Sequence, residues 1–290
     1  MSYKEETIIF LHIPKTAGTT LHDIIDRQYI SSEMHTMRLQ VPESIKQFLA
    51  LSEAERGQFK MIRGHMGYGL HKFVPRPCQY FTMLRDPVER VISTYYFIKR
   101  TPSHFFYNIF KEENLTLKGY VESGYSNMMD NGQTRMLAGG DGNILEGKCT
   151  QSMFEQAKEN LRCSFVVVGL TEHFDESLLL LQHQFGWYKP FYMRKNVSPQ
   201  RLQQVALAPD ALEAILAMNQ YDTALYAYAQ SLFKQQIKRA GVPFKLESFI
   251  FSKANILHNR FIAAEPENKF LYAYRQVWEK INQIRSKMKM

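Results

Sequence analysis

Two short segments of the chain combine the residue types that hold anions. Pro14-Lys15-Thr16-Ala17-Gly18-Thr19-Thr20 gathers small residues, one lysine and three threonines between an apolar run and a helical pattern. Small residues let backbone N–H groups approach an anion closely, and the N-terminus of the helix that follows adds a favourable dipole. Lys15 supplies a mobile positive charge, and the hydroxyls of Thr16, Thr19 and Thr20 can donate to anionic oxygens. The lysine stands before the glycine, so the loop lacks the G-x-x-x-x-G-K-[ST] pattern, which disfavours a metal-dependent NTPase of ordinary type. A plain threonine-capped helix start is the alternative reading. The second segment is Arg85-Asp-Pro-Val-Glu-Arg-Val-Ile-Ser93. Arg85 leaves a strand end and Ser93 lies two helical turns on, so a planar guanidinium and a hydroxyl can jointly hold a phosphate. Here the alternative is a capped helix with surface arginines.

The elements that must position these segments follow from periodicity. Thr7 to Ile13 is nearly continuous in apolar residues, as in a strand buried on both faces of a parallel sheet. Leu21, Ile24 and Ile25 then fall at helical spacing. The next fifty residues read as helical, with Ile45, Phe48 and Leu49 on one face. Lys60 to Gly67 reads as a short strand entering a glycine-flanked turn, and Gln79 to Leu84 as another strand. Asp86 suits an N-cap, Pro87 the first helical position and Glu89 the acidic place of a capping box. A helix over Ser152–Leu161, a buried strand over Phe165–Leu170, a helix over Phe174–Phe185 and two helical stretches between Gln200 and Arg239 follow. The fold class expected is α/β, a P-loop-like, mostly parallel sheet flanked by helices, with a helical C-terminal appendage. Residues 1–240 form the main domain and 241–290 an extension packing on it. Such sheets bind ligands beyond the carboxyl ends of their strands, where both segments fall.

Composition sets the bounds. The chain has 290 residues, 45% hydrophobic and 22% charged, an ordinary globular balance. The formal charge of +8 implies an anionic partner without naming it. No apolar run approaches the roughly 20 residues that span a bilayer, so no transmembrane segment is expected. His12-Ile13-Pro14-Lys15 stands where a signal peptide would need small residues, so a cytoplasmic location is expected. Cys78, Cys149 and Cys163 are odd in number and lack metal-ligand spacing; simple buried thiols are expected, with no disulfide framework and no metal. No nucleic-acid-binding motif is evident.

Together, in order and at plausible separation, the two segments resemble those of the PAPS-dependent carbohydrate sulfotransferases (PAPS being 3′-phosphoadenosine-5′-phosphosulfate), above all the heparan-sulfate 2-O-sulfotransferase type. Gly64-His65, Asn131-Gly-Gln-Thr-Arg-Met-Leu137 and Val168-Gly-Leu-Thr-Glu172 extend the similarity over residues 7 to 235. The resemblance implies transfer of a sulfuryl group from PAPS to a hydroxyl of a saccharide, glycolipid or other acceptor, leaving PAP, with no metal. Lys15 would lie near the bridging oxygen of the donor. The backbone of Thr16, Ala17, Gly18, Thr19 and Thr20 would cradle the 5′-phosphosulfate. Arg85 and Ser93 would bind the 3′-phosphate, Arg194 and Lys195 would help hold the nucleotide, and His65 would be the base that takes the acceptor proton. The chain departs from the 2-O pattern in showing Arg63-Gly64-His65 rather than His-Gly-His, which puts acceptor recognition in doubt.

Other residues read more plainly. Arg63 could meet an acidic sugar or a neighbouring carboxylate. His12 belongs to a buried strand and reads as structural. Tyr95, Tyr96 and Phe97 read as core, Trp187 and Tyr188 as candidates for a glycan platform, and Arg135 receives no role. A P-loop kinase-like phosphotransferase and a non-catalytic polyanion-binding protein are the alternative functions, and a homo-oligomer is possible.

Overall fold

The computed structural model describes residues 6–38, 41–188, 191–193 and 207–264. Arg194 and Lys195 lie outside the described residues. Five strands form one sheet in the order β2-β3-β1-β4-β5: β1 (Thr7–Leu11), β2 (Met34–Met37), β3 (Met61–Gly64), β4 (Cys78–Leu84) and β5 (Phe165–Leu170). Every pairing is parallel. β1 is central and buried along its whole length. Ile9, Phe10 and Leu11 are fully enclosed, each contributing roughly 1.5–3 kcal/mol of transfer free energy.

Helices cover the sheet. α1 (Gly18–Ile25) follows β1; α2 (Val41–Ala50) and α3 (Glu53–Arg56) lie between β2 and β3. α4 (Pro87–Lys99) follows β4 and leads through α5 (Tyr107–Glu112) and α6 (Leu117–Glu122) to α7 (Gly132–Ala138) and α8 (Gln151–Ser164). After β5 come α9 (Phe174–Phe185), α10 (Pro209–Met218), α11 (Gln220–Ala240) and α12 (Val242–Ala264). α12 inserts Phe244 and Phe251 into the main hydrophobic cluster. No helix among the described residues is long and apolar enough to cross a membrane.

The strand order places the site. The connection leaving β1 runs toward β2, and the long one leaving β4 runs toward β5 on the other side. β1 and β4 are neighbours, so their carboxyl ends flank the switch point at which open α/β sheets bind ligands. The loop after β1 carries Lys15 and the loop after β4 begins at Arg85. On the other side of β1, Leu11 is in register with Gly64 of β3, which brings His65 alongside His12.

Several local expectations change. The segment read as continuous helix contains the short edge strand β2, and Leu49 is more than a third exposed rather than on the buried face. Of the cysteines, only Cys149 is buried; Cys163 is exposed, and none is in a disulfide.

Candidate active site

The first loop is shaped by two residues with left-handed backbones, Lys15 (φ 70°) and Ala17 (φ 63°). Ala17 occupies the N-cap of α1, so the first-turn N–H groups of Gly18, Thr19 and Thr20 carry the unpaired donors of a helix N-terminus. Thr16 is buried and its hydroxyl donates to the Ile13 carbonyl at 2.7 Å, closing the turn. That hydroxyl is therefore turned inward, a correction to the expectation that it donates to an anion; Thr16 can offer its backbone only. Gly18 has a steric cause: a Cβ there would lie 1.7 Å from Nε2 of His12, so no larger residue fits between α1 and that ring.

The second loop is tied to the first. Nη1 of Arg85 donates to the Lys15 carbonyl at 3.0 Å, and Nη2 meets Glu89 at 3.3 Å. The two segments expected to hold anions are thus one structural unit. Glu89, Ser93, Phe97 and Arg100 follow at spacings of four, four and three, which places them along one side of α4. Glu89 meets Arg85, and the Lys15 ammonium sits 3.9 Å from the Phe97 ring centroid. Ser93 lies between these contacts and is partly exposed, as a phosphate ligand needs. Burial, with Arg100 and Arg85 nearby, lowers the Lys15 ammonium to about 8. A crowded set of cations, partly desolvated, favours an incoming polyanion.

His65 is oriented from behind. Gly64 takes φ +135°, and a Cβ would fall 2.1 Å from the Met37 carbonyl oxygen, so glycine is required there. The His12 N–H donates to the Gly64 carbonyl at 3.0 Å, and Nδ1 of His65 donates to the His12 carbonyl at 2.9 Å. With its proton on Nδ1, the neutral imidazole keeps Nε2 as a lone-pair acceptor. The His12 ring stacks on His65 with centroids 4.4 Å apart, and its Nδ1 pairs with Nε2 of His22 at 3.1 Å. Burial lowers all three imidazoles, His22 to about 4, so the column is neutral at pH 7. His12 is structural as expected, but the structure it serves is the base candidate and the donor loop.

Residues distant in sequence hold this frame. Gln133 is fully buried; its side chain accepts from the Arg85 N–H at 3.1 Å and donates to the Arg85 carbonyl at 2.9 Å. Asp222 accepts from the N–H groups of Gln133 and Thr134 and faces Arg90 at 3.6 Å, both side chains being fully buried. Glu172 accepts from the Asp86 N–H and from the Tyr226 hydroxyl. Arg135 joins Asp130 to the Leu145 carbonyl, a purely architectural place. Gln133 lay within the similar segment Asn131–Leu137 but with no role assigned, and Asp222 carried no signal, because their partners lie 48 and 89 residues away.

Two aromatic readings change, and one basic reading is decided between its alternatives. Trp187 is buried against Phe81, and its Nε1 donates to the Tyr29 hydroxyl, so it belongs to the core and not to a glycan platform. Phe97, read as core, faces Lys15. Arg63 is held by Asp26 at 2.6 Å and by the His22 carbonyl at 3.0 Å, which settles it on a neighbouring carboxylate.

A parallel α/β domain with two joined, cation-bearing loops at its switch point and a histidine beside them is the class that fold and site define. The chain matches the galactose-3-O-sulfotransferase family over residues 2–248 and belongs to that family. It is 29% identical over 286 residues to heparan-sulfate 6-O-sulfotransferase 1 of Homo sapiens, covering 80% of this chain and 66% of that protein. Heparan-sulfate 6-O-sulfotransferase 2 of Danio rerio is 26% identical over 288 residues, covering 81% and 60%. The chain thus spans about two thirds of the length of these relatives. A crystal structure of mouse sulfotransferase SULT7A1 complexed with PAP aligns over 76% of this chain and 66% of its own, with 11% identity and a TM-score of 0.34. The 2-O type expected from the sequence is corrected: these relatives are 6-O-sulfotransferases. The segments that carried the expectation are those expected to hold the donor, and loops of that kind do not report which acceptor oxygen is sulfated.

Proposed function

We propose that this protein transfers a sulfuryl group from PAPS to a saccharide hydroxyl, with His65 as general base. The observation that carries the reading is the bond from Arg85 to the Lys15 carbonyl, which joins two phosphate-binding loops into one cradle at the switch point. Family membership and the saccharide sulfotransferases among its relatives support the same reaction.

The residues divide the work as follows. The N–H groups opening α1 hold the 5′-phosphosulfate, while Arg85 and Ser93 take the 3′-phosphate that marks PAPS from ordinary nucleotides. Lys15 leaves the Phe97 ring and offsets the negative charge that grows on the bridging oxygen as the S–O bond breaks. His65 accepts the acceptor's hydroxyl proton at Nε2 as that oxygen bonds to sulfur, and PAP departs. Sulfuryl transfer, like phosphoryl transfer, depends on in-line positioning and charge stabilisation, which this arrangement supplies.

The test is His65→Ala with labelled PAPS and a panel of glycans. Turnover falls by about 10²- to 10⁴-fold, while PAP binding measured by calorimetry stays at the wild-type value. Wild-type protein that neither binds PAP nor labels any glycan refutes the proposal.

A further inference from the structure

At the corner where β4 turns into α4, four successive backbone groups are each held by a side chain from elsewhere in the chain. The Thr171 hydroxyl donates to the Leu84 carbonyl at 3.1 Å, and the Asp86 N–H donates to Glu172 at 3.1 Å. Between them, the Arg85 N–H donates to Oε1 of Gln133 and Nε2 of Gln133 donates to the Arg85 carbonyl. β4 pairs with β5 as far as Leu84, opposite Leu170. Arg85 is the first residue past the sheet, and one side-chain amide exchanges both bonds with it as a residue of an adjoining strand would.

Gln133 is itself clamped. It stands in the first turn of α7, where its N–H and that of Thr134 donate to the two carboxylate oxygens of Asp222 at 3.0 and 2.7 Å. The Asp222 N–H donates in turn to Oδ1 of Asn131, the N-cap residue of α7. Asp222 also faces Arg90 of α4. The contacts close on themselves: Arg85, Gln133, Asp222 and Arg90, with both arginines on one strand-to-helix junction. Gln133, Asp222 and Arg90 are fully buried, and low dielectric strengthens the bonds that fix the corner.

A long side chain is placed only as well as its backbone, and a guanidinium meets a phosphate well in a narrow range of orientations. We propose that Gln133 is a positioning residue for donor selectivity. By fixing the Arg85 peptide on both sides it aims the guanidinium at a nucleotide 3′-phosphate, and Asp222 keeps it in place. The proposal rests on the reading of Arg85 as the 3′-phosphate ligand. It goes beyond that reading by giving control of nucleotide choice to an enclosed residue of α7 with no surface to offer a nucleotide.

The experiment measures, by calorimetry, the binding of PAP and of adenosine 5′-monophosphate, which lacks the 3′-phosphate. The proteins are the wild type, Gln133→Met, Gln133→Asn, Arg85→Ala and the double variant Gln133→Met/Arg85→Ala. Methionine keeps the volume and removes both bonds; asparagine keeps the amide but falls short of Arg85. Asn160→Leu, which cuts the side-chain bonds to the Leu137 and Ala138 carbonyls at the far end of α7, controls for general loosening. The wild type should prefer PAP by about tenfold or more. Gln133→Met and Gln133→Asn should each weaken PAP by about tenfold and the monophosphate by less than about twofold, shrinking the preference toward that of Arg85→Ala. Once Arg85 is alanine, Gln133→Met should weaken PAP by less than about twofold further, the coupling of residues that act through one contact. Asn160→Leu should keep the wild-type preference. Equal weakening of the two nucleotides by either Gln133 variant, or an undiminished preference in both, overturns the proposal. So does the full Gln133→Met loss on top of Arg85→Ala, or a matching loss of preference in Asn160→Leu, since Gln133 would then only stabilise the fold. A wild type that binds PAP no better than the monophosphate overturns it too. A wild type that does not bind PAP at all sinks the transfer reading itself.

Discussion

Gly18→Ala tests how the donor loop and the base candidate are joined. The added methyl would lie 1.7 Å from Nε2 and 2.1 Å from Cε1 of His12. That ring cannot yield easily. It is stacked between Phe10 at 5.3 Å and His65 at 4.4 Å, and its Nδ1 is bonded to His22. Overpacking of this kind costs typically about 1–3 kcal/mol, which would lower the melting temperature by several degrees in a chain of this size. The strain can be relieved only by lifting the first turn of α1 from the ring, so the N–H groups meant for the 5′-phosphosulfate move as well. PAP affinity should fall by about tenfold or more, the equivalent of about 1.4 kcal/mol. The decisive comparison is with His12→Ala and the double variant. His12→Ala removes the obstructing ring but keeps the backbone carbonyl that orients His65. In that background the Gly18→Ala penalty on PAP binding, measured by calorimetry, should shrink to less than about threefold, a coupling expected of residues in contact. Equal penalties in the two backgrounds would refute the reasoning, since the ring would then not be what glycine accommodates.

Three further outcomes are expected. Asp222→Ala strands Arg90 in the core and removes the acceptor for the Gln133 and Thr134 N–H groups, so denaturant unfolding should show a loss of about 3–5 kcal/mol; a loss under 1 kcal/mol would contradict it. Lys15, lowered to about 8 by burial and by Arg100 and Arg85, is charged below that pH and loses its charge above it. The kcat/KM for PAPS should therefore decline as pH rises through about 8, while the acid limb set by His65 lies below its usual 6.5; a flat profile between pH 7 and 9 would rule this out. His12 and His22 are held neutral in the folded chain, His22 down to about 4, so the unfolded state binds more protons between pH 6.5 and 4. Stability should fall with pH across that window, by up to about 1.4 kcal/mol per unit for each histidine, and His22→Asn should flatten the slope of the denaturation midpoint against pH.

How far the site could be read in advance depends on how local its parts are. Lys15 to Thr20 and Arg85 to Ser93 each lie on one strand-to-helix junction, so spacing and residue type revealed them, and β5 and α9 stand at their expected bounds. β2 escaped notice because four residues at a sheet edge, one of them buried, carry little apolar pattern. The role of Gln133 was hidden although its segment was noticed: a glutamine shows no chemistry until a fold brings it against the Arg85 backbone.

Exposure was the other quantity that sequence could not supply. Trp187 and Phe97 both depart from the roles expected of them, because a side chain's surroundings depend on what arrives from elsewhere in the chain: Tyr29 and Phe81 onto the tryptophan, Lys15 onto the phenylalanine. His12 looked like one more core residue and became the piece between donor loop and base, through the parallel register that sets β1 beside β3. Residue order alone was enough for the chemistry that neighbours along the chain can perform, since local spacing dictates local geometry. The joining of Arg85 to Lys15, the neutral histidine column and the choice of which aromatics meet solvent came from strand order and packing, which act between residues that the chain keeps far apart.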